Sequence, residues 1–201
     1  MGQGNTPMFV VLAVSTLLGG AHAASAQAFM PTGGYTSQPI GHYELCQRHP
    51  TECGPVRDRG AVELTRELWA TIVEVNNRVN TTVVPRTDLE VWGVEEYWEY
   101  PVDGTGDCDD IVLEKRRLLM EAGAPASNLL ITVVRDLRGD GHAVLTVHTD
   151  QGDFVLDNLE PRVRAWKDTK YQYLKRQSSE HTGRWVSVDD SRDVLVGSIR
   201  P

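Results

Sequence analysis

Gly104-Thr105-Gly106-Asp107-Cys108-Asp109-Asp110, followed by Ile111-Val112-Leu113-Glu114-Lys115-Arg116-Arg117-Leu118-Leu119, decides how the rest of the chain is read. A glycine-rich turn delivers one cysteine, flanked by carboxylates, to the start of an amphipathic segment. The unpaired N–H groups and the dipole of a helix N-terminus favour thiolate, the reactive form of cysteine. The aspartates oppose it, so this cysteine needs a cation or an imidazolium as partner. The helix is expected over Cys108 to Ala122, with Ile111, Leu118, Leu119 and Met120 inward and Gly123 and Pro125 ending it.

Downstream the period changes. Leu129–Arg135 reads as a strand, Arg138-Gly139-Asp140-Gly141 as a turn, and His142–Thr149 as a second strand. Asp140 and Asp153 read as turn residues. Gln151-Gly152-Asp153 turns the chain again into Phe154–Asp157, which makes an antiparallel meander. Arg184–Val188 and Val194–Gly197 are further strand candidates, and Tyr171–Ser179 has no clear period. Upstream, Leu64, Leu68, Ile72, Val75 and Val79 form one apolar stripe, predicting a helix over Ala61 to Asn80 with Asp58 as N-cap. Helix, cysteine helix, then antiparallel strands is an α+β order.

The chain has 201 residues, a net charge of -8, 40% hydrophobic and 24% charged residues. The acidic balance argues against nucleic acid as a partner, since phosphate binding wants a basic face. Met8–Leu18 is an apolar run too short for a comfortable span, and Ala24-Ser25-Ala26 fits small-x-small cleavage. Residues 1–26 are therefore expected to be a signal peptide, with the membrane involved only through export and the mature protein periplasmic or secreted. Residues 27–57 read as an extended arm and 58–201 as the main domain. In an oxidising compartment Cys46 and Cys53 are a disulfide pair, with metal ligation as the rival, and Cys108 is left over.

A nucleophilic cysteine requires an imidazole and a group to orient it. Of six histidines, His22 leaves with the signal peptide, His42 and His49 lie in the arm, and His181 follows the sheet. His142 and His148 share one strand face, and His142 opens the strand beside a glycine turn. Asp157 closes the next strand. Antiparallel pairing sets it near residues 143 to 147, or beside His142 after a small slip of register. Cys108, His142 and Asp157 are thus the candidate catalytic set. Aromatics crowd the approach to the cysteine, among them Trp92, Tyr97, Trp98 and Tyr100, as groove walls or as core.

Gly106-Asp107-Cys108-Asp109-Asp110, Gly141-His142-Ala143-Val144-Leu145 and Val155-Leu156-Asp157-Asn158 together resemble the bacterial transglutaminase-like cysteine proteinases, whose best-known members are periplasmic and release large surface adhesins. The resemblance runs from about residue 60 to 190. It implies a papain-like, transglutaminase-like fold, Cys108 as nucleophile, His142 as base and acid, Asp157 as orienter, and a protein or peptide substrate such as a surface adhesin. It also implies calcium at Asp107 and Asp109, residues that serve equally as helix caps; the chemistry itself requires no cofactor. Acyl transfer to an amine and a non-catalytic binding module are the alternatives on the same fold.

Overall fold

The computed structural model describes residues 1–2 and 28–192. The expected signal peptide at 1–26 and the strand expected at Val194–Gly197 lie essentially outside the described residues. In chain order the elements are β1 (Thr32–Thr36), α1 (Ile40–Arg48), α2 (Arg66–Thr82), β2 (Val84–Pro85), α3 (Asp88–Val91), β3 (Thr105–Gly106) and α4 (Cys108–Glu121). There follow β4 (Leu129–Arg135), β5 (Gly141–Thr149), β6 (Gly152–Leu156), β7 (Arg164–Ala165), β8 (Gln172–Ser178) and β9 (His181–Val188). Seven strands form an antiparallel sheet in the order β1-β9-β8-β4-β5-β6-β7, and β2 pairs with β3 in a separate parallel ladder. This is the expected α+β layout. Among the described residues no helix is long and apolar enough to cross a membrane.

The helices α2 and α4 cover one face of the sheet. Ile72, Val75 and Val79 from α2 and Ile111, Val112 and Leu119 from α4 pack on Leu129, Ile131, Ala143, Leu145 and Val147. On the other face Val134, Val144, Val155, Trp166 and Tyr173 form a second cluster. Alternate residues of β5 thus serve both cores, and the strand is apolar almost throughout.

Several expectations change. The α2 N-cap is Thr65, whose hydroxyl accepts the Leu68 N–H at 3.1 Å, and not Asp58. Asp58 instead accepts from Gly60 N–H and the Ser179 hydroxyl. The segment read as an extended arm contributes β1, an edge strand paired to β9, and the helix α1. No apolar stripe marks α1 because its buried residues are Gly41, His42 and Leu45. A side-chain carbon on Gly41 would lie 2.3 Å from Trp98 Cδ1, so only glycine admits that packing. Tyr171–Ser179 resolves into β8. Asp153 is no simple turn residue: it is fully buried and accepts from Met30 N–H at 2.7 Å and from His148 Nδ1 at 2.6 Å, with Arg176 at 3.2 Å.

Cys46 and Cys53 are joined by a disulfide. It closes the turn between the end of α1 and the strand system, and the metal rival for this pair does not apply to the oxidised form.

Candidate active site

Cys108 is the first residue of α4. The turn before it closes as a reciprocal cap: the Asp107 side chain accepts the Asp109 N–H, while Asp110 reaches back to the Asp107 N–H. Asp107 is therefore a helix cap. The two-residue ladder of β2 and β3 fixes the approach, since Arg86 N–H donates to the Gly106 carbonyl at 3.1 Å.

His142 lies near the start of β5. The β5–β6 register pairs Leu145 with Leu156, so Asp157 follows the paired segment and shares the face of His142 diagonally. No slip is needed: His142 Nε2 meets Asp157 Oδ1 at 2.8 Å. Both side chains are buried. Tyr171, just before β8, donates its hydroxyl to the other Asp157 oxygen, and its ring stands 5.6 Å from that of His142. The Leu159 N–H adds a third donor at 3.0 Å, and Asn80 of α2 donates to the Asp157 carbonyl oxygen at 2.7 Å. These donors hold Asp157 below the usual carboxylate range against the opposing effect of burial, with His142 the strongest of them. Asp157 thus takes Nε2 and leaves Nδ1 as the ring nitrogen for a substrate or a thiol.

The sulfur docks beside this pair. The Ala143 N–H, one peptide unit from His142, acts on Cys108 Sγ and favours its thiolate. Burial first, then Asp109 and Asp107, outweigh it and push the Cys108 thiol far up. The Asp109 carboxylate is 3.9 Å from the sulfur. The sulfur makes no hydrogen bond to the imidazole in this structure. The sulfur is seated at the backbone of the residue next to His142, and contacts of a catalytic pair commonly tighten only when substrate binds.

Carboxylates accumulate around the cap. Oxygens of Asp88, Asp107 and Asp110 lie within 4.8 Å of one another, and a second set is Asp107, Cys108 and Asp109. Asp88 comes from α3, 20 residues upstream in sequence terms of the Asp107–Cys108 step, and no local pattern reveals it. Its carboxylate also accepts the Tyr97 N–H. Burial, together with Asp107 and Asp88, pushes Asp110 up to about 7, although Glu99 N–H binds it at 2.8 Å. Burial and neighbouring carboxylates raise Asp88, Asp109 and Glu96 as well. Asp109 Oδ2 is buried with no donor among the described residues. A hard divalent cation matches oxygen donors of this kind and removes the repulsion.

The aromatics divide. Trp98 is core, packed edge-on against His42 and Trp185. Trp92 stacks on Tyr97 and remains at the surface. Tyr171 and Asn80 join the site without any local sequence signal, because both act on Asp157 through long-range contacts.

A helix-borne cysteine on an antiparallel sheet, with an imidazole and a carboxylate paired on neighbouring strands, defines a transglutaminase-like cysteine peptidase. The chain belongs to the bacterial transglutaminase-like cysteine proteinase family (BTLCP), which it matches over residues 32–193. Among solved structures it is similar to LapG of Legionella pneumophila, at 28% identity and a TM-score of 0.50 over 61% of this chain and 71% of that one. The EGTA-treated form of that protein gives 27% identity and a TM-score of 0.51 over 62% and 72%. The calcium-bound form gives 22% identity and 0.47 over 77% and 91%. No curated protein matches.

Proposed function

We propose that the protein is an exported cysteine peptidase that cleaves an amide bond in a periplasmic or cell-surface protein, such as an adhesin, using Cys108, His142 and Asp157. The observation that carries this reading is the His142 Nε2–Asp157 contact of 2.8 Å, which leaves Nδ1 for the thiol. In the reaction the Cys108 proton passes to His142 Nδ1 and the sulfur attacks the substrate carbonyl carbon. The Cys108 N–H, at the first position of α4 and outside the helix ladder, faces the developing oxyanion. The C–N bond then breaks, the Nδ1 proton leaves with the amine, and a thioacyl-enzyme remains. Water attacks this ester, giving its proton to Nδ1; the C–S bond breaks and the proton returns to sulfur. Asp157 stays ionised throughout and holds the ring.

Calcium bound by Asp107 and Asp109, with Asp88 and Asp110 beside them, would supply positive charge near the thiol. Asp107 holds the α4 cap in place from the same position. The export assignment rests on the apolar run and the Ala24-Ser25-Ala26 step.

The test is cleavage of a candidate surface protein by purified wild type and Cys108→Ala. Loss of cleavage in a variant with unchanged circular dichroism and melting is expected. Retained cleavage by Cys108→Ala overturns the proposal.

A further inference from the structure

The run Glu114-Lys115-Arg116-Arg117 has the look of a solvated helix face, and Arg117 does pair with Glu114 and Glu121 at the surface. Lys115 does not follow it. Its side chain is 0% exposed, and its Nζ has no hydrogen-bond partner among the described residues. Lys115 stands seven residues after Cys108, two turns deeper on nearly the same face of α4, about 10 Å along the axis. Helical side chains lean toward the N-terminus, so its stem runs back toward the thiol end. Burial brings the amine down to about 7, while Asp157, the charged group acting on it among the described residues, favours the ammonium.

The surroundings of Asp157 carry the matching irregularity. Asn80 clasps the Asp157 carbonyl through Nδ2, yet its Oδ1 has no donor. Asn158, the next residue, also has an Oδ1 without a donor. One buried amine lacks acceptors while acceptors beside the acid lack donors. A buried amine of this kind disfavours folding, and an apolar side chain of similar volume would pack better.

We propose that Lys115 is a positioning residue for the His142–Asp157 pair, its buried ammonium serving as the counter-charge that steadies the Asp157 carboxylate behind the imidazole. The inference rests on the triad reading above. Asp157 faces three hydrogen-bond donors, His142, Tyr171 and the Leu159 N–H, and Lys115 adds positive charge in its protonated form. With two cations sharing one carboxylate, the imidazolium is held less tightly and releases its proton to the leaving amine more readily. Among the described residues the titratable groups that meet the His142 ring are Asp157 after β6 and Tyr171 before β8, and the Cys108 thiol lies at the neighbouring Ala143 N–H.

The test is Lys115→Met in the full mature chain, with the His142 ring followed by NMR titration of the uncomplexed protein. The variant is expected to melt at or above the wild-type temperature. The His142 midpoint should rise by about half a pH unit or more, because a nearby positive charge has gone. On a cleaved substrate, kcat should fall about tenfold or more with KM little changed. An unmoved His142 midpoint overturns the proposal, whatever happens to activity. Should Lys115→Met fail to fold, Lys115→Gln is read the same way. Retained cleavage by Cys108→Ala would defeat the triad reading separately, and the His142 titration would still decide whether Lys115 acts on the ring.

Discussion

Glu52 meets the buried guanidinium of Arg116 at 3.2 Å, so the loop closed by the disulfide is keyed to the helix that carries Cys108. Arg116 also donates to the Leu129 carbonyl at 3.2 Å, which ties the same side chain to β4. Removing the acid leaves a buried cation without its counter-charge. Glu52→Ala should therefore lower stability by about 3 kcal/mol, read from urea unfolding at constant m-value. An unchanged midpoint would mean that the pair is solvated in practice.

The Cys46–Cys53 bridge closes a short loop, and chain entropy gives it about 2 to 3 kcal/mol. Replacing both cysteines by Ser should lower the melting temperature, and a dithiol reductant should lower wild type to the same value. Combined with Glu52→Ala the losses should be less than additive, because both changes release the same loop.

His42 sits at the centre of α1 packing, 1% exposed, between Trp98 and Trp185. The Trp185 indole donates to Nδ1 at 3.3 Å, Gln38 meets the same nitrogen at 2.6 Å, and Gln177 meets Nε2 at 3.2 Å. Burial, and then Arg116, lower it from its ordinary 6.5 to about 4. Between those values the unfolded chain binds a proton that the folded one refuses. Stability is therefore complete above pH 6.5 and is lost as the pH falls toward 4, by about 3 kcal/mol from this residue. His42→Gln should flatten that part of the stability–pH curve. A wild-type curve already flat from pH 6.5 to 4 would contradict the assignment.

Calcium should act on the sulfur through charge. Burial, Asp109 and Asp107 raise the thiol, and a divalent cation among these carboxylates removes the last two contributions. Alkylation of Cys108 by iodoacetamide at pH 7.5 should accelerate on adding calcium, by about tenfold or more, and slow again with EGTA. Asp107→Asn should abolish the calcium response. Equal rates with and without calcium would remove the cation from this site.

The meander β4–β6 was legible because alternation and glycine turns are local: Leu129–Arg135 is recovered residue for residue. The helix α2 was legible from its stripe, but its start was not, since Thr65 and Asp58 are both good caps and only the fold chooses between them. In α4 more is buried than its apolar stripe indicates, because Lys115 and Arg116 are inside and Val112 and Leu113 join Ile111. Charged residues enter a core only where distant partners or a functional site receive them, and neither is written in the local sequence. The same holds for Asp88 and Tyr171, which reach the site from separate segments. The His142–Asp157 contact was within reach of strand pairing, whereas the docking of the thiol at Ala143 depends on how a helix seats on a sheet.

The pairing of β1 with β9 joins Thr32 to Val188, so the first strand of the sheet is held by the last. This pairing spans most of the described chain, and so carries a large loop-closure cost. A fragment trimmed at Thr36 would retain cysteine, histidine and aspartate, yet make the eight-residue β9 the sheet edge in place of the five-residue β1. β1 thus borders the sheet as a short cover over the longer β9, four strand positions away from β5, which carries His142.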